Sequence, residues 1–305
     1  MRVSIVVPTR NRPVWLRRAL KSLAMEGAPR DQVEVVVTDN SDNAESGRLV
    51  TAEFGELEVQ YFRNEPPTGM VENWNLGAAR ARGEWVIFLH DDDYFLPGWW
   101  GHAAEAVREK GRGAVAHAFS VQPVDSRGRC LSRGGKHQER YLAAREAIRE
   151  LLTHSSLIRF PGMMLHRDWL MKVGGFDPHF EEVADLEMWL KAAAQGGIHF
   201  HRTILSAYTL HEEAATEKMF TEVTLQRVFK LGERCAAEGL IEPEVLQEAR
   251  ARFFWRFILA GAWRAWRRGN VEEKARILAL AELPMMQGIS CPWRFRLFDV
   301  MLRCC

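Results

Sequence analysis

The chain has 305 residues, enough for two domains at roughly 150 residues each. Its 47% hydrophobic and 27% charged residues make an ordinary globular balance, which excludes wholesale disorder. The 41 basic and 40 acidic residues nearly cancel, so the surface as a whole is not built for nucleic acid, although room remains for a local basic patch. No apolar run approaches the roughly 20 residues of a membrane span. Met1-Arg2 leads into a short strand-like run before Pro8, which is not the pattern of a signal peptide. Cys130, Cys235, Cys291, Cys304 and Cys305 form neither a disulfide framework nor a CxxC zinc clamp. The expectation is a cytoplasmic chain, free or peripherally held at the inner face of a membrane.

Strand and helix alternate through the first two hundred residues. Val3 to Val7 is a β-branched, almost wholly apolar run, as a parallel strand buried on both faces requires. Pro8 ends it, and Val14 to Met25 carries helical spacing at Trp15, Leu16, Ala19, Leu20 and Leu23. Val33 to Val37 predicts a second buried strand and Val59 to Phe62 a third. A helix is expected from about Val71 to Arg82, with Gly83 as its left-handed cap. Trp85 to Leu89 predicts a fourth strand running straight into His90-Asp91-Asp92-Asp93. This order implies an α/β fold with a mostly parallel sheet, whose ligands bind beyond the carboxyl ends of the strands. Thr9-Arg10-Asn11-Arg12, Asp39 to Asp42 and Asp91 to Asp93 all fall at such ends.

The middle is less regular. Asp125 to Lys136, with Gly128, Gly134 and Gly135, reads as an exposed loop, and Gly174 to Pro178 as a turn before a helix from about Ala184 to Gln195. After about Thr216 the pattern is helical throughout, broken at Pro243, Gly269, Pro284 and Pro292.

Three aspartates in a row after a buried strand crowd like charge in one place, and a divalent cation relieves that crowding. Hard oxygen ligands suit magnesium or manganese. The plain alternative is a solvated acidic turn, but the strand end and the neighbouring polar loops favour a site.

The residues that carry a family resemblance are Val3 to Arg12, Thr38 to Asp42, Asn73-Trp74-Asn75, Gly83 to Asp93, Gly174 to Asp177 and Asp185 to Leu190. In this order they resemble the family 2 glycosyltransferases of the GT-A fold, and Tyr208 and His211 resemble that family's final Tyr-x-x-His element. The resemblance covers about residues 1–215, leaving 216–305 as a helical C-terminal region. It implies transfer of a sugar from a nucleotide-diphosphate donor, a UDP-sugar first, to an acceptor hydroxyl with inversion. Pro8, Thr9, Arg10 and Arg12 would line the nucleotide pocket with Asp42, and Asp39 would hydrogen-bond the base. Asp91 and Asp93 match the outer carboxylates of the D-x-D motif. Asp93 is then the direct ligand of Mn2+ or Mg2+, Asp92 lies nearer the ribose or diphosphate, and His211 completes the metal or diphosphate contacts. Asp185 falls on the catalytic-base position. Ala184 replaces the family's usual glutamate there, so Glu187, Glu181 and Glu182 stand as fallback bases.

The chemistry agrees. A departing nucleotide diphosphate gains negative charge that a cation stabilises, and an acceptor hydroxyl needs a carboxylate on the far side of the anomeric carbon. Without the family, Asp185 also reads as an acid favoured by a helix N-terminus. Trp74, Trp99, Trp100 and Trp169 suit either sugar stacking or the core. His90 suits either a supporting role beside the triplet or a strand cap, and Arg80 and Arg82 either the diphosphate or solvent.

From Arg250 to Arg268, ends included, there are six arginines and no acid. Trp255, Leu259, Trp263 and Trp266 share one helical face there, with Arg252, Arg256, Arg264 and Arg267 on the adjoining one. The two readings are packing, on the catalytic domain or in a homodimer, and contact with an anionic membrane, with packing preferred. Competing functions are a nucleotidyltransferase, which would want glycine in the Pro8–Arg12 loop, and a non-catalytic nucleotide-sugar-binding scaffold. An aspartyl phosphatase would need threonine or valine where Phe95 stands. The acceptor, whether saccharide, lipid-linked or small molecule, is not specified by the sequence. Abundant alanine and arginine suggest a GC-rich bacterial source.

Overall fold

The computed structural model describes residues 2–24, 29–108, 115–132, 134, 137–154, 156–211 and 219–304. They form two compact units, one of Met1–Ala143 and Ile158–His211, the other of Ala144–Leu157 and Glu212–Cys305.

The first unit opens with β1 (Val3–Thr9), α1 (Pro13–Ala24), β2 (Val33–Asp39), α2 (Glu45–Glu53), β3 (Gln60–Arg63), α3 (Met70–Arg80) and β4 (Trp85–Phe88). Met25, the expected end of the first helix, lies outside the described residues. Then come β5 (Tyr94–Phe95), α4 (Trp99–Arg108), β6 (Ala116–Asp125) and β7 (Arg140–Leu142) and, after α5 (Ala144–Thr153) of the second unit, β8 (Met163–His166), α6 (Arg167–Lys172), α7 (Ala184–Gly196) and β9 (Ile198–Leu210). The sheet order is β3-β2-β1-β4-β8-β6-β9-β5, with β7 on the outside of β9.

The expected parallel sheet is only its first half. β1 pairs in parallel with β2 and β4, and β2 with β3. Beyond β4 the pairing turns antiparallel through β8 to β6, then parallel again from β6 to β9. Two reversals leave β6 and β9 running in the same direction as β4, so their carboxyl ends reach the same edge of the sheet.

Every residue of β1 is buried, as its unbroken apolar run requires. Helix α3 stops at Arg80, two residues short of the expected end, and Ala81 leaves it in an extended conformation. Gly83 is therefore no left-handed cap, and its φ is not among the positive values of the chain. Its glycine is needed for a different reason. A Cβ there would stand 2.6 Å from the Ser4 backbone N and 2.9 Å from Arg2 O, where β4 begins beside β1.

Histidines line the far half of the sheet. His117 on β6 stands opposite His199 on β9, and two residues on, His201 Nε2 lies 2.9 Å from His117 Nδ1. The rings of His117 and His199 stack at 5.3 Å. His201 Nδ1 lies 2.9 Å from Glu139 Oε1. Burial, with His201 and His199 adding repulsion, lowers His117 to about 3.

The second unit contains α5, α8 (Glu222–Ala237), α9 (Pro243–Arg267), α10 (Val271–Ala279) and α11 (Trp293–Cys304). The sequence reading placed α5 with the first domain, but the helix packs on α9 and belongs to this unit. The expected boundary at residue 215 lies outside the described residues. Helix α9 is the unit's core: Phe253, Phe254, Phe257, Ile258 and Ala262 are buried, and so are Trp255 and Leu259 from the face weighed as a membrane contact. Its arginines take protein partners: Arg252 pairs with Glu248, and Arg256 meets His154. These residues of α9 are therefore packed within its own unit, a covering that neither expected reading named. Among the described residues, no helix is long and apolar enough to cross a membrane.

Two outcomes are expected. Gly83→Ala should lower stability by about 2 kcal/mol or more, read from urea midpoints, because backbone rather than a flexible side chain must yield. His117, neutral when folded and titrating near 6.5 when unfolded, holds back stability only as it becomes protonated in the unfolded chain. Stability should be full above about pH 6.5 and fall below it, by up to about 1.4 kcal/mol per pH unit. Urea titrations at pH 7, 6 and 5 should give a flatter slope for His117→Gln, and equal slopes would contradict this.

Candidate active site

The carboxyl ends of β1, β2, β4 and β9 deliver Thr9, Asp39, the segment His90–Asp93 and the segment Tyr208–His211 to one edge. Each aspartate of the triplet meets a different partner there. Asp91, 5% exposed, accepts from Thr9 Oγ1 at 2.7 Å, and its Oδ1 lies 3.6 Å from Arg12 Nη1. Asp92 Oδ2 lies 2.8 Å from His211 Nε2 and 3.2 Å from Arg12 Nη1. Asp93, 1% exposed, accepts the Thr209 backbone N–H on Oδ1 at 2.8 Å. Its Oδ2 is buried and without a hydrogen-bond partner among the described residues.

These partners separate the acidities. Burial and the neighbouring Asp92 raise Asp91 and Asp93, with Asp93 far above the usual carboxylate range. Burial also opposes ionisation of Asp92, but the hydrogen bond from His211 and the charges of His90 and Arg12 outweigh it and hold its carboxyl low. His90 is pushed toward its neutral form by burial. Its ring packs 5.4 Å from Trp74 and 4.4 Å from Phe160, and its Nε2 has no hydrogen-bond partner among the described residues. One ligand atom each from His90, Asp92 and Asp93 lie within 4.8 Å of one another, a grouping able to hold a metal ion.

This grouping departs from the expected metal set of Asp93, Asp91 and His211. Only Asp93 is shared. Asp91 turns toward β1, while His211 spends its Nε2 on Asp92 and stacks on Trp15 at 4.9 Å. His90, which the sequence offers as support or cap, and Asp92, expected nearer the ribose or diphosphate, enter instead.

Arg18 on α1 went unnoticed in the sequence because it sits on an otherwise ordinary amphipathic helix. Its guanidinium lies over Trp15 and Tyr94, at 4.5 and 4.7 Å from the ring centroids. It donates to the Asp92 carbonyl and to Thr209 Oγ1, so it ties the triplet to the end of β9. Burial lowers its pKa, and the charges of Tyr94, Asp93 and Asp92 oppose that.

On the β2 side, Asp39 is wholly buried. Its Oδ1 accepts from both the backbone and hydroxyl of Ser41, and its Oδ2 accepts from Tyr61 Oη at 2.5 Å. Burial and Asp39 together raise the Tyr61 phenol. As arranged, Asp39 positions Ser41, whose hydroxyl receives the Asn11 N–H at 2.7 Å. Asn11, at a left-handed φ of 55°, exchanges two bonds with Asp42. Pro8 is buried in β1 opposite Thr38, whereas Arg10 and Asp42 are exposed and 3.9 Å apart. Arg80 and Arg82 do not reach this edge. Arg80 covers Phe62, and Arg82 pairs with Glu34 beside Ser4.

Asp185 lies in the first turn of α7, half-buried, with Oδ1 accepting the Leu186 N–H at 2.7 Å. Burial raises its carboxyl to about 6, against backbone hydrogen bonding and the charge of Arg159. The helix is fixed by aromatics. Trp189, one turn on and on the same face, meets Phe160 at 5.6 Å and Phe176 at 6.2 Å. Both rings also pack on Trp74. Trp74 and Trp99 are thus core, not platforms for a ligand. Of the fallback bases, Glu187 is fully buried and 3.0 Å from Lys191 Nζ, which removes it from contact with an acceptor. Glu182 is half-buried, and Glu181 is exposed with a left-handed φ of 37°. A non-glycine residue held there is strained, and such strain gathers near functional sites.

Known proteins share this architecture. Staphylococcus aureus TarS 1-349 in complex with UDP-GlcNAc superposes with a TM-score of 0.66 at 18% identity, covering 99% of this chain and 89% of that one. The mannosyltransferase PcManGT from Pyrobaculum calidifontis, in complex with GDP-Man and Mn2+, gives 0.59 at 16% identity, covering 99% and 84%. The fold is therefore GT-A, with a mixed sheet and a helical C-terminal region. In sequence, a Campylobacter jejuni GalNAc(5)-diNAcBac-PP-undecaprenol beta-1,3-glucosyltransferase is 30% identical over 129 residues, 42% of this chain and 40% of that enzyme. An uncharacterised Haemophilus influenzae glycosyltransferase is 23% identical over 190 residues, and the chain spans 61% of its length. Residues 4–174 match the profile of glycosyl transferase family 2, more than half of the chain, and the chain belongs to that family.

Proposed function

We propose that the protein is a metal-dependent, inverting glycosyltransferase that takes a sugar from a nucleotide-diphosphate donor, a UDP-sugar first, to an acceptor hydroxyl. One observation carries the reading. Two carboxylates and an imidazole converge at the strand ends while Asp93 Oδ2 and His90 Nε2 stay buried without a hydrogen-bond partner among the described residues. Leaving such atoms unpaired costs free energy that a cation would recover. The donor set fits a divalent ion held by His90, Asp92 and Asp93, and the imidazole favours manganese over magnesium. When bound, the ion supplies positive charge to the departing diphosphate. The UDP-GlcNAc complex of TarS and the GDP-Man and Mn2+ complex of the mannosyltransferase support the donor class.

The chain's own residues do the rest. Thr9 and Arg12 fix Asp91 and the cationic rim of the nucleotide pocket, with Pro8, Arg10 and Asp42 as its lining. His211 and Arg12 keep Asp92 ionised. Asp185 receives the acceptor's proton. Its pKa, raised to about 6, makes it a better base at neutral pH than an ordinary carboxylate while leaving it ionised there. Direct displacement then inverts the anomeric centre, since no second carboxylate is asked to form a covalent intermediate.

Calorimetry with UDP, GDP, dTDP, CMP and ADP should give manganese-dependent binding of one diphosphate, weakened about tenfold or more in Asp92→Asn and Asp93→Asn. Thermal melts identify any variant that has merely unfolded, and a folded wild type that binds none of the five overturns the reading. With the donor known, kcat/KM should rise with pH through about 6 as Asp185 ionises, because the base acts deprotonated. Asp185→Asn should lose roughly 10²–10⁴-fold in kcat with donor affinity unchanged. A variant that keeps full activity would return the base to Glu182 or Glu181.

A further inference from the structure

Helix α11 is apolar on two sides, and only one of them is used. Phe298 packs 5.5 Å from Trp263 of α9, and Leu302 is fully buried. On the outer side Trp293, Leu297 and Val300 are 79%, 84% and 56% exposed. At i, i+4 and i+7 they form one stripe along the helix. Arg294 flanks the stripe on one side and Arg296 and Arg303 on the other, all exposed. Arg303 is answered by Asp299 at 3.0 Å, but Arg294 and Arg296 have no acidic partner among the described residues. Trp266, 37% exposed at the end of α9, lies 4.8 Å from Trp263 and is followed by the exposed Arg267.

We propose that α11 is a docking element that lies in the headgroup layer of an anionic lipid surface, with Trp293, Leu297 and Val300 inserted and Arg294 and Arg296 at the phosphates. Two arguments select lipid over a second copy of the chain. The first is charge. An isologous contact on this stripe would bring together arginines of two copies that lack an acidic partner, whereas anionic headgroups complement them. The second is area. A helix of 12 residues is about 18 Å long and about 10 Å wide, so its stripe falls far below the roughly 800 Å² per partner of a stable protein interface. A bilayer needs no such area, because a few large apolar side chains and flanking cations suffice for reversible binding. Tryptophan at one end of the stripe also suits the interfacial layer. The inference rests on the helical unit alone and stands whether or not the donor reading holds.

The test is flotation of the full chain with phosphatidylcholine vesicles, with and without 30% phosphatidylglycerol (a proportion of roughly one anionic lipid in three). The wild type should float with the anionic vesicles, weakly with neutral ones, and less as salt rises. Trp293→Ala/Leu297→Ser/Val300→Ser and, separately, Arg294→Glu/Arg296→Glu should each reduce binding by roughly tenfold or more. Circular dichroism melts establish that each is folded, and the charge pair serves if the apolar triple is not. Equal flotation of both variants, or none by the wild type, overturns the proposal. So does sedimentation showing a wild-type dimer that the apolar triple dissociates, which would make the stripe a contact between copies.

Discussion

Three consecutive carboxylates stand at the end of a buried strand where little water reaches them, and much of the first unit is arranged around that crowding. At 4 Å, two like charges repel by about 4 kcal/mol at the effective dielectric of a protein margin. The structure separates the three in kind. Asp91 is bound to the end of β1, Asp92 is ionised between His211 and Arg12, and Asp93 is buried against the backbone of β9. Only one of them carries its charge easily. The atoms left over, on Asp93 and His90, point to the kind of partner that would complete the site.

That arrangement depends on β9 running in the same direction as β4, which the two antiparallel pairings through β8 bring about. Arg18 then joins α1, the triplet and β9, with Trp15 and Tyr94 shielding its guanidinium. A second link runs through rings. His90, Trp74, Phe160, Phe176 and Trp189 form a continuous packed set from the end of β4 to the first turns of α7. Asp185 therefore sits on a helix whose position is set by the same aromatic cluster that holds His90. Packed rings deform little, so His90 and Asp185 are kept in fixed relation.

The helical unit follows a simpler logic. α9 lies at its centre, so most of a face that looks membrane-ready when drawn on a helical wheel, Trp255 and Leu259 above all, is covered by neighbouring helices. Its arginines fold back on acids and on His154, as long amphipathic side chains do at the rim of a packed helix. The exposed apolar stripe of this unit lies on α11, where a shorter helix has a second apolar side and nothing among the described residues to bury it.

Local sequence was enough for much of this protein. Unbroken apolar runs marked β1, β2 and β4 because strands buried on both faces tolerate nothing else, and polar loops at their carboxyl ends marked the edge where the site lies. Spaced motifs carried the family. Tertiary structure alone decided which carboxylate faces which partner, since consecutive residues point in different directions by amounts that only the turn geometry sets. It also brought His90 and Asp92, rather than Asp91 and His211, together with Asp93 in the candidate metal group, and set Asp39 against Ser41 and Tyr61. It moved α5 into the helical unit and β9 beside β6, because pairings over eighty residues leave no local pattern. Helical periodicity identified an apolar face on α9, but whether a face is covered depends on what packs against it, and that is a property of the fold.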